Sequence, residues 1–227
     1  IQHYNHAIKL LKKIPQNSRR DQTELSLQLS LGPSITAVKG WGAPELEQAY
    51  DRAQTLCETI QDISKIVPAL WLLATFRLGR SEHREVDQLV ARLFHLARQI
   101  NDPALLAIAY LQVSPFYQGH FKKARQILQR ASALREINLQ RHLAFRFGMS
   151  PAAFALSYLS NCLAIMGHPD KADQIASQAN HLAQKINHPM TNCYILSRAC
   201  WLNVIFKKPQ SLKDNLITLK QTAEKFG

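Results

Sequence analysis

The stretch VKGWGAPELEQAYDRAQTLC, from Val38 to Cys57, sets two glycines and a tryptophan beside a lysine. Those residue types can cradle a phosphate when a GxxxxGK[ST] loop wraps its amides around the oxygens. Here Lys39 precedes Gly40 and Gly42, and the loop spacing is absent. No GxGxxG follows a predicted strand, because no strand is predicted. The stretch therefore reads as a turn between two helices, with Pro44 in a first turn, Trp41 filling the joint and Lys39 facing a helix C-terminus.

Other reactive residue types fail on spacing in the same way. Nucleophilic hydrolysis wants GxSxG, or a cysteine placed against a histidine, and neither local pattern occurs. Cys162 and His168 lie six residues apart across a helix end, as a core thiol and a turn histidine. His3 and His6 are spaced for one helix face but lack an acidic or thiol partner. Cys193 and Cys200 are two helical turns apart, which is core spacing. Glu45 with Glu47, and Glu82 with Glu85, sit in first helical turns, where they complement the helix dipole. The sequence thus offers no catalytic residue, no metal ligand set and no cofactor motif, and the expectation is a non-enzymatic chain.

Composition points to an ordered helical protein. Of the 227 residues, 46% are hydrophobic, with only 8 Gly and 10 Pro, and the commonest residues are strong helix formers. No apolar run reaches the roughly 18 residues of a membrane helix, and no signal-peptide pattern opens the chain. The four cysteines have no CxxC spacing, so a cytoplasmic location with reduced, buried thiols is expected. The chain runs from Ile1 to Gly227 in mid-register, which reads as a fragment of a longer polypeptide. The formal charge of +12 is spread over most helices, with clusters at Lys122, Lys123 and Arg125 and at Arg141, His142 and Arg146. A spread of this kind suits a solvated surface, and it leaves open an acidic peptide, nucleic acid or anionic lipid as partner.

What must position any site is an internal repeat. LARQINDP (Leu96 to Pro103) returns as LAQKINHP (Leu182 to Pro189), and GHFKKARQI (Gly119 to Ile127) as GHPDKADQI (Gly167 to Ile175). The shared unit carries apolar residues at offsets 0, 3, 7, 10, 11 and 14, one face of a helix. One copy is Leu46, Ala49, Ala53, Leu56, Cys57 and Ile60; the next is Val86, Leu89, Leu93, Leu96, Ala97 and Ile100. A third holds Ala124, Ile127, Ala131 and Leu134 but fails at Arg135 and Asn138, and the fourth is Ala172, Ile175, Ala179, Leu182, Ala183 and Ile186. A weaker fifth offers Leu212, Leu219, Ala223 and Phe226, while Ala7, Leu10, Leu11 and Ile14 fit the tail of an earlier one. Copies starting at Leu46, Val86, Ala124, Ala172 and Leu212 are 40, 38, 48 and 40 residues apart.

Between these helices the pattern predicts others over about 22–38, 64–78, 103–117, 151–166 and 189–206. Pro103 and Pro189 fall at first-turn positions with Asp102 and Asn187 placed to cap, and Ser150 before Pro151 is an N-cap followed by N1. Gly79, Gly119 and Gly167 fit helix C-termini that need positive φ. Gly32-Pro33 should kink or split its helix, and the extra residues 139–149 should form an added turn or short helix. A pair of about 40 residues cannot bury its own apolar face, so stacked pairs bury it for one another. The expected fold is all-α, a tetratricopeptide-like superhelix of about five antiparallel pairs. It forms a single domain over 1–227, with units near 1–39, 40–79, 80–118, 119–166 and 167–227. Its repeat is longer than that of the tetratricopeptide motif, and the motif's early Trp and Tyr are not regular here.

LSLQLSLGPSITAVKGWGAPELEQAYDRAQTLC and FGMSPAAFALSYLSNCLAIMGHPDKA resemble the C-terminal tetratricopeptide region of large bacterial signalling proteins. Those proteins carry a class III adenylate/guanylate cyclase or kinase domain, then an AAA-type ATPase module, then this region. The resemblance covers residues 1–226 and implies a sensor or scaffold region. Cyclase and ATPase motifs are absent from the chain, so it implies nothing catalytic for these residues.

Repeat proteins of this class bind on the concave face lined by the first helix of each pair. The inner positions counted back from the Gly turns are Ala109, Val113, Phe116 and Tyr117, then Phe154, Ser157 and Asn161, then Tyr194, Ser197 and Trp201. Aromatics mixed with Ser and Asn suit an extended or helical peptide. The candidate binding set is therefore Tyr117, Phe154, Ser157, Asn161, Tyr194, Ser197 and Trp201, with Phe116, Phe154 and Trp201 equally suited to core between repeats. The expected function is protein–protein interaction or intramolecular regulation, through another protein, a peptide or other domains of the parent chain. Homo-oligomerisation through an open end, a ligand- or signal-peptide receptor, and a basic nucleic-acid-binding solenoid are the alternatives, and no membrane partner is expected.

Overall fold

The computed structural model describes residues 1–39, 43–60, 63–100, 102–111 and 113–226. Every element among them is a helix, and they fold as two compact units, Ile1–Asn101 and Asp102–Gly227.

The first unit holds α1 (Gln2–Leu11), α2 (Ser18–Lys39), α3 (Pro44–Thr59), α4 (Ile63–Gly79) and α5 (His83–Ile100). Its closest pairs are α2 with α3 and α4 with α5, each joined by a short connection. All six template positions of α3 and its C-cap are buried: Leu46, Ala49, Ala53, Leu56, Cys57 and Ile60. In α5 the same face buries Val86, Leu89, Leu93 and Ala97, with Leu96 half-buried. Small residues at repeated positions let neighbouring helices approach closely, and each fully buried Leu or Ile contributes about 1.5–3 kcal/mol.

Gly32-Pro33 does not split α2, which runs unbroken from Ser18 to Lys39. Gly32 is there because of its neighbour: a Cβ would collide with the ring of Tyr50 on α3. Tyr50 in turn packs on Phe76 of α4 with ring centroids 4.5 Å apart, and burial pushes its phenol up to about 12. Lys39 ends α2 and is ion-paired with Glu45, in the first turn of α3. The turn glycines Gly40 and Gly42, and Trp41 between them, lie outside the described residues.

The second unit holds α6 (Pro103–Tyr110), α7 (Ser114–Tyr117), α8 (Phe121–Ala131), α9 (Ile137–Phe147), α10 (Pro151–Ile165), α11 (Pro169–Ile186), α12 (Pro189–Ile205) and α13 (Pro209–Phe226). The helix expected over 103–117 is broken: α6 ends at Tyr110 and α7 starts anew at Ser114, where Pro115 has no N–H to give to the carbonyl four residues before it. α10 is buried on all sides from Pro151 to Leu163 and packs against α8, α9, α11 and α12, so it is the unit's central post. On one side of it, Ala144, Ala152, Ala153, Leu156, Ala179, Leu182, Ala183, Ile186 and Ile195 form a continuous core.

The irregular 48-residue interval is accounted for by α9, the short helix expected near 139–149. α8 stops at Ala131, so Leu134 falls outside it, and Leu128 is buried where Ile127 is only half-buried. Gln140, fully buried, fastens α9 to the start of α10: its Oε1 accepts from Ser150 Oγ (2.7 Å) and from the Ala152 N–H (3.1 Å), while Nε2 donates to Leu134 O (2.6 Å). Ser150 caps α10 as expected, accepting from the Ala153 N–H at 3.3 Å.

Positive φ occurs at Gly119 (77°) and Gly167 (81°), the two equivalent turn glycines. Gly79 instead ends α4 without it, and Ser81 (62°) makes that turn. Asn187 is the left-handed C-cap of α11, not an N-cap; His188 Nδ1 does the capping, accepting from the Thr191 N–H at 3.3 Å. Asp102 takes its expected position, with Oδ1 3.4 Å from the Leu105 nitrogen. α13 ends the series, with Leu212 and Leu219 half-buried, Ala223 exposed, and Leu216 and Ile217 about half exposed. The boundaries expected at 80, 119 and 167 fall in turns.

Candidate functional site

Three helices of the second unit converge on one ring cluster. α10 supplies Phe154, Tyr158 and Asn161, at i, i+4 and i+7 on one face. α12 supplies Tyr194, Arg198 and Trp201 with the same spacing, and α7 adds Phe116 and Tyr117. Tyr158 is the hub and is 1% exposed. Its ring lies 4.9 Å from Phe154, 5.3 Å from Phe116 and 6.0 Å from Tyr117, the last two edge-on. Phe154 lies 4.7 Å from Tyr194, and Phe116 lies 6.1 Å from Trp201. Tilted and edge-on pairs of this kind match the quadrupoles of the rings.

The hydroxyls form a chain through the cluster. Tyr117 and Tyr158 share a 2.6 Å hydrogen bond, and Tyr158 and Tyr194 are 3.3 Å apart. Burial pushes the Tyr158 and Tyr194 phenols well above their ordinary value, so both stay protonated at neutral pH. Tyr117, 52% exposed, brings the chain to the surface.

Arg198 lies across this cluster. Its guanidinium carbon is 4.3 Å from the Tyr158 ring centroid, 5.2 Å from Trp201 and 5.7 Å from Phe116, a three-sided aromatic cage. Its Nε donates to Asn161 Oδ1 at 3.2 Å. Asn161 is fully buried. Asn161 Nδ2 and Arg198 Nη2 are both shielded, and neither finds an acceptor among the described residues. No carboxylate among the described residues lies within ion-pair distance of Arg198.

Of the seven residues expected from sequence, five belong to this cluster: Tyr117, Phe154, Asn161, Tyr194 and Trp201. Ser157 and Ser197 turn their hydroxyls back on their own helices, donating to Phe154 O (2.7 Å) and Tyr194 O (2.8 Å). Ala109, Val113 and Phe116 are buried core. Sequence reasoning missed Tyr158 and Arg198, although each lies four residues after a ring it did select. Beside the cluster, Phe121 touches Phe116 at 5.7 Å and opens onto a shallow concavity of about 800 Å³. Lys122, Lys123, His120 and Ile165 also line it.

Other chemistry-bearing residues are accounted for by structure. All four cysteines are unbridged, and burial pushes the Cys57 thiol up to about 11 and Cys162 up to about 12, so neither is a ready nucleophile. His3 and His6 are exposed on α1. Arg141 serves the fold: Nε and Nη2 donate to the carbonyls of Ile186 (3.3 Å) and Lys185 (3.0 Å) at the end of α11. No helix among the described residues is long and apolar enough to cross a membrane.

No protein-family model matches the sequence, and no curated protein matches it. Among solved structures the chain is similar to the crystal structure of a Rap protein complexed with competence and sporulation factor. The TM-score is 0.72 at 15% sequence identity, and the match covers 97% of this chain and 58% of that one. At that identity the likeness is one of fold, an all-helical, tetratricopeptide-like stack of helix pairs. The chain thus spans less than two thirds of the Rap protein's length.

Proposed function

We propose that this chain is a non-catalytic helical-repeat binding domain that takes an extended peptide segment against the exposed edge of its aromatic cluster, at Tyr117, Ser197 and Trp201. The observation that carries this reading is the meeting of Tyr158, Trp201 and Phe116 around Arg198, whose Nη2, like the Asn161 Nδ2 beside it, is shielded and finds no acceptor among the described residues. Buried donors that make no bond cost stability, and fixed helices hold them in place for an incoming acceptor. Aromatic rings with a few convergent polar groups are the usual lining of a peptide groove. The Rap protein of similar fold was crystallised with competence and sporulation factor, which is in keeping with a binding role for such a fold.

The segment bound would come from another protein or from another domain of a longer parent chain. The resemblance of two segments to cyclase–ATPase signalling proteins favours a regulatory role inside such a parent, in the cytoplasm. The test is retention of a random hexapeptide library by the purified chain, read by mass spectrometry after equilibrium dialysis. A subset of sequences should be retained, and Trp201→Ala should weaken that retention on the order of 3–10-fold. Failure to retain any peptide would refute the proposal.

A further inference from the structure

We infer that Arg198 and Asn161 form an anchor for a carboxylate carried by the bound peptide. The inference rests on the peptide-binding reading above and adds the chemistry of the ligand.

Nη2 shares a carbon with Nε in the guanidinium, and Nδ2 shares a carbon with Oδ1 in the amide. The two unpartnered donors therefore flank the single 3.2 Å bond between Arg198 and Asn161. One acceptor group with two oxygens can meet both, and a carboxylate presents two oxygens in a plane. A backbone carbonyl would satisfy a donor but leave the cation without a counter-charge. Three rings surround the guanidinium, and no carboxylate among the described residues pairs with it, so a carboxylate on a ligand would be its counter-charge. Trp201, 36% exposed, and Ser197, also exposed, form the edge by which a ligand reaches the anchor. Lys122 and Lys123, lining the concavity beside Phe121, give the neighbouring surface the same preference for negative charge.

The carboxylate has two sources, a peptide C-terminus or an Asp or Glu side chain. Four hexapeptide libraries separate them: free or amidated C-termini, each with or without Asp and Glu. Against the full chain, libraries carrying one source of carboxylate should be retained about tenfold or more above the amidated library lacking Asp and Glu. Arg198→Gln should abolish that difference. Asn161→Asp guards against a folding artefact, because it sets a carboxylate beside Arg198 within the protein. It should raise the melting temperature while removing the preference for carboxylate peptides. Equal retention of the neutral library would overturn the anchor and leave peptide binding intact, whereas no retention from any library would overturn both. Stabilisation by inorganic phosphate through Arg198, without any from carboxylate peptides, would also overturn the anchor.

Discussion

Arg77, near the end of α4 in the first unit, and Arg198, on α12 in the second, both lie against aromatic rings. Arg77 is 5.4 Å from the Phe76 ring centroid, yet it also holds Glu82 at 2.9 Å and pairs with Asp51. Arg80 shares Glu82 at 2.7 Å and reaches Glu47 at 3.4 Å. Arg52 grips Glu24 with two bonds of 2.7 and 2.9 Å. In the first unit, then, these three arginines are neutralised on the spot, and they join α2 to α3 and α3 to α4, with Glu82 tying in the turn before α5; Arg92 instead donates to the Cys57 carbonyl at 2.7 Å. Arg198 has more rings around it and no carboxylate partner among the described residues. Arg141 shows that carbonyls alone can hold an arginine that serves the fold, whereas Arg198 meets only rings and one amide oxygen among the described residues. The acidic residues are few, at 16, and the contrast shows where they are spent.

The largest way to break this contrast is to remove the hub of the second region. Tyr158→Ala should cost about 3–5 kcal/mol of stability, because it opens a cavity under three rings and removes the support of the Arg198 cage. Tyr158→Phe keeps the rings and should cost about 0.5–1.5 kcal/mol for the lost hydroxyl bonds. Chemical denaturation of the two variants separates ring packing from the hydroxyl chain.

A smaller effect sharpens the other side. Glu24→Gln should cost about 1–3 kcal/mol, since it leaves Arg52 with a weaker partner at a nearly closed site. The hydrogen bond from Arg52 holds the Glu24 carboxyl below its ordinary value. A carboxyl whose folded value is depressed adds stability above its unfolded value, and that stability is lost as pH falls through the folded one. Stability of the native chain should therefore drop as pH falls below about 4.5, the ordinary glutamate value. Glu24→Gln should flatten that acid limb in melting curves. The variant's acid limb would be unchanged if the Glu24–Arg52 pair contributed nothing.

The smallest of these effects concerns the turns that both repeat halves share. Gly167→Ala should cost about 1–2 kcal/mol, because φ of 81° is strained for a side chain even though the space around it is open. Gly119→Ala, at 77°, should behave alike. Unequal losses would mean that the two turns are not equivalent.

Much of the fold was legible because the 3.6-residue period reports burial directly. Leu46, Ala53, Leu56, Ala172, Ala179 and Ile186 were read from spacing alone, and each is buried. The failures were local competitions that period cannot register. Pro115 breaks a helix whose apolar pattern runs through it, and Gly32-Pro33 fails to break one because Tyr50 packs against the glycine. The aromatic cluster was half legible. Aromatics at inner positions could be counted back from glycine turns, but the spacing that puts Arg198 four residues after Tyr194 does not say that rings of other helices meet it. Its meaning depends on Tyr158, Phe116 and Trp201 meeting from three helices, with no acid paired to it among the described residues.

The most direct measurement is a double-mutant cycle by calorimetry on one peptide selected by the chain. Arg198→Gln is one axis, and replacement of the peptide's retained carboxylate by its amide is the other. A carboxylate anchor predicts strong coupling: each change alone weakens binding about tenfold or more, and the second adds little once the first is made. Additive losses, or no loss from either change, would contradict it.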